Sequence, residues 1–240
     1  MTAGSLYGVG VGPGDPELLT LKAHRLLTTC PVVAYFAAGG RTGSARQVVD
    51  GRLAASQREL RLVYPVTTEP TPRYESLLTE FYDRSADTLA EHLDAGRDVA
   101  VLCEGDPFLY GSFMYLHRRL AGRYRTVVVP GVASMLAGAA ALGTPLAARD
   151  ETLSVLSAVL PEAELEARIR AADAVVVLKV GRNLAKVRRV IDRLGLLERA
   201  HYVERATTGA ERLLPLAAAD PATAPYFSMV VIPSEVAVER

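Results

Sequence analysis

Glu104-Gly-Asp-Pro-Phe-Leu-Tyr-Gly111 is the stretch in which chemistry-bearing side chains are most tightly constrained by their neighbours. It sets two carboxylates, Glu104 and Asp106, on either side of a glycine. Gly105 lets the backbone turn and approach a ligand closely, because it has no Cβ. Pro107 fixes φ and removes a donor, so the chain after Asp106 is stiff. Such a crest is open to two uses: a ligand-binding loop at the end of a strand, or a plain strand-to-helix turn capped by Asp106.

The residues before it decide what presents the crest. Val99-Ala-Val-Leu-Cys103 is apolar throughout, which predicts a strand buried on both faces. Two further loops of the same kind follow strand-like runs: Gly12-Pro-Gly-Asp15 after Leu6–Val11, and Pro130-Gly131 after Val127–Val129. Asp15 reads as a helix cap with Pro16 at the first helical position. Gathered at the carboxyl edge of one sheet, three such loops would ring a cleft. They offer main-chain donors and acceptors more than acids or bases, which suits a ligand that brings its own reactivity.

Other chemistries lack their residues. Glycines stand at 8, 10, 12 and 14, but GxGxxG needs one at 13, where the chain has Pro13, and Ala34-Tyr35-Phe36 ends without an acid for a ribose. There is no Gly-Lys-Ser/Thr for a phosphate loop, and Ser134 follows Gly131 at the wrong spacing for a hydrolase elbow. His24, His92, His117 and His201 are dispersed and form no metal signature.

The 27 basic and 27 acidic residues leave no formal net charge, so bulk attraction to nucleic acid is not expected. Half of the 240 residues are hydrophobic, enough for one large or two modest cores. Cys30 and Cys103 read as buried free thiols of a reducing compartment. No basic stretch followed by an apolar one marks a signal peptide. Thr126–Ala148 is uncharged and long enough to span a bilayer, but its glycines, prolines and alanines read as a strand, a turn and a small-residue helix. The expectation is a cytoplasmic protein with no membrane partner.

Strand-like runs at Pro31–Phe36, Glu59–Tyr64 and Asp98–Glu104 alternate with helical spacing at Leu18–Leu27, Ser44–Ala54, Tyr74–Gly96 and Phe113–Leu120. That rhythm predicts a parallel sheet. Thr67–Pro72 reads as a turn-rich connection. From Val127 onward, strands at Thr152–Ser157, Ala174–Leu178, His201–Arg205 and Tyr226–Ile232, with helices at Glu162–Ala171 and Asn183–Leu194, predict a second, mixed α/β domain. The division expected is 1–120 and 126–240.

Gly8-Val-Gly-Val-Gly-Pro-Gly-Asp-Pro-Glu-Leu-Leu-Thr-Leu-Lys22, Glu104–Gly111 and Pro130-Gly-Val-Ala-Ser134 together resemble the signature loops of the tetrapyrrole methylases, S-adenosylmethionine-dependent methyltransferases of corrin and sirohaem synthesis. The likeness covers nearly the whole chain, in order. Val32-Val-Ala-Tyr35 and Val177-Leu-Lys-Val-Gly-Arg-Asn183 most resemble the members that act on the C-20 meso carbon of precorrin-2. The alternatives are cobalt-precorrin-2, another ring position, and a non-catalytic regulator that binds the same cofactor.

The resemblance implies two α/β domains with the cofactor between them, and a homodimer. It implies cofactor contacts at Pro13, Gly105, Asp106, Leu109, Ala133, Ser134, Val180 (where relatives often have Met) and Ala206, with S-adenosylhomocysteine as product and no metal. Glu104 and Tyr110 become candidates for placing the macrocycle or assisting a proton shift. A substrate rich in carboxylates calls for basic donors. Among Arg41, Arg46, Arg52, Arg58 and Arg61, Arg41 on the flexible Gly39–Gly43 loop is the first choice. Arg182, Lys186, Arg188 and Arg189 lie opposite an apolar stripe and read as surface.

Overall fold

The computed structural model describes residues 2–66 and 72–235. All but Pro72 of the expected Thr67–Pro72 connection lies outside them. The chain divides between Ala133 and Ser134 into two units.

In the first unit five parallel strands, β1 (Leu6–Gly10), β2 (Val32–Ala37), β3 (Arg58–Val63), β4 (Val99–Cys103) and β5 (Thr126–Val129), form a sheet in the order β3-β2-β4-β1-β5. The central strand β4 is buried along its whole length, as its unbroken apolar run requires. Successive side chains feed opposite layers. Val9, Val33, Ala100 and Leu102 pack under α1 (Leu21–Thr29) and α2 (Ser44–Val48). Leu6, Ala34, Val99, Val101 and Cys103 pack under α3 (Tyr74–Asp94) and α4 (Phe113–Leu120). Gly8 is a glycine because the Phe113 ring lies against its backbone, where a Cβ would collide.

This layering places the site. β1 runs on into α1 and β4 into α4, so the connections after two adjacent strands leave toward opposite faces. A crevice opens at the carboxyl ends of such a pair. The register sets Gly10 beside Cys103.

The second unit holds β6 (Leu153–Ser157), β7 (Ala174–Leu178), β8 (His201–Glu204), β9 (Arg212–Pro215) and β10 (Ser228–Ile232) in a mixed sheet ordered β6-β7-β10-β8-β9, parallel only between β6 and β7. One face packs on α6 (Glu162–Arg170) and α7 (Leu184–Arg193), the other on α5 (Ser134–Leu142).

Four local expectations are revised. The Val127–Val129 run is not a strand of the second half: β5 pairs with β1 and closes the first sheet. The second sheet's fifth strand is β9, whose Arg-Leu-Leu-Pro gave no strand signal. The helix expected over Ser44–Ala54 stops at Val48, since Gly51 adopts left-handed φ of 71°. The helix after Asp15 is split: Asp15 Oδ1 caps a single 3₁₀ turn at Pro16–Leu18, and Thr20 Oγ1 caps α1 afresh. Among the described residues, no helix is long and apolar enough to cross a membrane.

Candidate cofactor-binding bends

The three glycine loops of the first unit meet. Beyond the last β1–β4 pair, Val11 N–H donates to the Cys103 carbonyl at 2.9 Å. Gly12 and Gly105 then exchange two main-chain hydrogen bonds, 2.8 Å and 3.4 Å, as an antiparallel bridge between loops whose strands run parallel. The reversal is possible because both glycines take positive φ, 80° and 61°. The third loop is drawn in by a side chain: Asp106 Oδ2 accepts the Gly131 N–H at 3.1 Å. Its other oxygen accepts the Phe108 N–H at 2.8 Å and sets the turn through Pro107. A Cβ on Gly131 would strike the Gly105 carbonyl oxygen, and one on Gly10 would lie 2.5 Å from the Gly131 nitrogen. Glycines are needed here for contact between backbones.

Of the two uses the sequence left open for Asp106, the structure shows the turn cap. Asp106 also ties that turn to the third loop. It remains half-exposed, and each oxygen keeps a lone pair beyond the bond it accepts. Pro13 and Leu109 are half-exposed on the bends beside it, and Tyr110 is exposed with a left-handed φ of 55°, a conformation costing about 1–2 kcal/mol for a residue with a Cβ.

Glu104 points elsewhere. Its Oε1 accepts the Ala45 N–H of α2 at 3.2 Å. Although the residue as a whole is exposed, its carboxyl is crowded by protein. Burial raises its pKa above the usual 4.5, while hydrogen bonds from the Ser44 side chain and the Ala45 amide pull it down.

A group of hydroxyls beside these bends carried no sequence signal. The Ser112 Oγ at the head of α4 lies 2.5 Å from the Tyr64 hydroxyl and 3.1 Å from that of Tyr82, which donates to it. Tyr64 packs against the rings of both Phe36 and Phe81, and burial pushes the Tyr64 and Tyr82 phenols upward in pKa. Only the fold brings the end of β3, the head of α4 and the middle of α3 together.

The arginine-rich segment separates into roles. Arg46 is consumed by Glu59 at 2.7 Å and Asp50 at 3.1 Å. Arg61 donates to the carbonyls of Ala38 and Arg41, holding the loop on which Arg41 sits. The exposed Arg41 side chain makes no hydrogen bond or ion pair among the described residues. On α7, Lys186 bonds the Leu160 carbonyl, Arg188 that of Ala219, and Arg189 the Glu162 carboxylate.

In the second unit the loops after β7 and β8 flank the start of β10, because β10 runs antiparallel to both strands. Lys179, Arg205 and Thr207 all adopt positive φ (59°, 47° and 64°) there, a concentration of strained backbone of the kind found at ligand sites. Val180 is wholly buried in the core under α6 and α7; its N–H donates to the Ser228 carbonyl at 3.4 Å and its carbonyl accepts from Asn183 N–H at 2.6 Å. The Ala206 methyl packs with Val203 and Met229.

A family model described as tetrapyrrole (corrin/porphyrin) methylases matches residues 5–221. The chain belongs to this family. The chain is 49% identical over 233 residues to the Mycobacterium tuberculosis cobalamin biosynthesis protein CobIJ, covering 96% of this chain and 46% of that protein; it spans about half the length of that relative. It is also 49% identical to the precorrin-2 C(20)-methyltransferase of a Sinorhizobium species, over 96% of this chain and 95% of that one. Among solved structures, it resembles the Thermus thermophilus uroporphyrin-III C-methyl transferase complexed with S-adenyl homocysteine, with a TM-score of 0.67 and 29% identity, over 97% and 98% of the two chains. A cobalt precorrin-4 methyltransferase, CbiF, shares the fold at a TM-score of 0.73 and 23% identity over 95% and 94%.

Proposed function

We propose that this methylase transfers a methyl group from S-adenosylmethionine to the C-20 meso carbon of precorrin-2, a step of cobalamin biosynthesis, and works as a cytoplasmic homodimer. The observation that carries the reading is the likeness to the Sinorhizobium enzyme along almost the full length of both chains. Identity to the Salmonella typhimurium enzyme named for cobalt-precorrin-2 is 30%, which favours the metal-free ring as substrate.

The first-unit bends fit such a cofactor. Their donor set is main-chain amides and carbonyls plus one carboxylate with spare lone pairs, suited to a ribose and an ammonium rather than a phosphate. S-Adenosylmethionine supplies an electrophilic methyl on a positively charged sulfur. The chain's part is to hold two partners in line, which needs rigid placement more than a strong base. In this reading Pro13, Gly105, Asp106, Leu109 and Ala133 hold the cofactor, with Asp106 accepting from its ammonium or ribose. Ser134, Val180 and Ala206 are assigned to it on the sequence resemblance. Tyr110 borders the macrocycle, and the free guanidinium of Arg41 receives a peripheral carboxylate.

The test is turnover of precorrin-2 with S-adenosylmethionine. The expected product carries one added methyl, at C-20. A methyl elsewhere, consumption of only the cobalt-loaded ring, or cofactor binding with no turnover would each overturn the assignment.

A further inference from the structure

Helix α2 lacks a cap of its own. Its N-cap position is Gly43, which offers no side chain, and a Cβ there would run into the Phe36 carbonyl. The missing acceptor comes from 59 positions away, as the Glu104 carboxylate bonding Ala45 N–H. The loop before α2 has little else to hold it. A Cβ on Gly39 or Gly40 would meet nothing within 4 Å, and Gly40 is left-handed at φ 71°. Its long-range anchors among the described residues are Arg61, on the carbonyls of Ala38 and Arg41, and, by way of α2, Glu104 on Ala45 N–H and the Arg46–Glu59 ion pair. Glu104 is also next to Gly105, whose main chain is bonded to Gly12.

We propose that Glu104 is a positioning residue, not an acid or base: it ties the cofactor bend to the loop carrying Arg41, so that filling the bend orders the arm that meets the substrate. This rests on the reading of the Gly105 bend as the cofactor site. The physical link is short. The Glu104 backbone moves with Gly105, its side chain ends on α2, and the Arg41 loop runs directly into that helix. A ligand that stiffens the bend therefore stiffens the acceptor of the only side-chain cap α2 has among the described residues.

Amide hydrogen exchange on the full chain tests this, with and without S-adenosylhomocysteine, in the wild type, Glu104→Ala and Glu104→Gln. In the ligand-free state Glu104→Ala should quicken exchange at Ser44–Val48 by roughly fivefold, the factor that goes with losing one N-cap. Glu104→Gln keeps an acceptor oxygen and should exchange as the wild type does. Added S-adenosylhomocysteine should slow exchange over 38–48 in the wild type and Glu104→Gln, but not in Glu104→Ala. Unchanged exchange in wild-type 38–48 while calorimetry shows the ligand bound would overturn the coupling and leave the site reading standing. Absence of binding to the wild type would remove both. Unaltered protection of β1 and β4 in Glu104→Ala separates loss of the tie from loss of the fold.

Discussion

Asp106 is where the stitching of the bends can be weighed. It accepts two main-chain hydrogen bonds, from Phe108 at 2.8 Å and Gly131 at 3.1 Å. Bonds to a charged group are worth about 1.5–3 kcal/mol each. The carboxylate is half-exposed, so water replaces part of what is lost and each bond contributes about 1 kcal/mol, as an ordinary hydrogen bond does. Asp106→Ala should then cost about 2 kcal/mol of unfolding free energy. Asp106→Asn keeps one acceptor oxygen but turns an amide N–H toward a main-chain N–H, for a loss of about 1 kcal/mol. At a urea slope of about 2 kcal/mol/M, the midpoints should fall by about 1 M and 0.5 M. Both variants should also bind S-adenosylhomocysteine more weakly in calorimetry, because the third bend is no longer held. An unchanged urea midpoint for Asp106→Ala, with cofactor affinity lost, would refute the stitch and leave Asp106 a ligand contact alone.

Further outcomes follow from the same geometry. Gly131→Ala drives a methyl into the Gly105 carbonyl and should cost about 1–3 kcal/mol along with cofactor affinity; a wild-type melting temperature would contradict the close approach. His92 is buried at the end of α3, with Nδ1 accepting from Arg97 at 3.0 Å, and burial first, then the charges of Arg97 and Arg58, holds its pKa below 6.5. The native state therefore binds this proton less readily than the unfolded chain, so stability should drop as pH falls below 6.5. His92→Gln, which keeps an acceptor, should flatten that slope, and an identical pH profile would clear His92 of the effect. Burial pushes the Cys30 thiol up to about 12 and Cys103 well above its usual value. A disulfide-exchange dye at pH 8 should thus label neither until urea is added; prompt labelling of native protein would show the packing to be looser.

Much of the first unit was legible along the chain. Val99–Cys103 could only be a buried strand, Phe113–Leu120 falls where its helical spacing put it, and the glycines and prolines marked the three bends. What escaped depended on pairing at a distance. Thr126–Val129 has the same apolar character whichever sheet it joins, and only its bonds to β1 place it in the first. β9 is an edge strand whose mostly exposed residues carry no alternation to read. Glu104 looked like an acid beside a ligand, and its partner proved to be a helix 59 positions away.

Residue type and spacing alone determined where the backbone must bend and which runs must be buried, because steric freedom and hydrophobicity are properties of the local chain. Tertiary structure decided which bends touch, that Asp106 binds one of them to another, and that Glu104 faces α2. A hydrogen bond depends on distance and direction, and those exist only once the sheet has set its register.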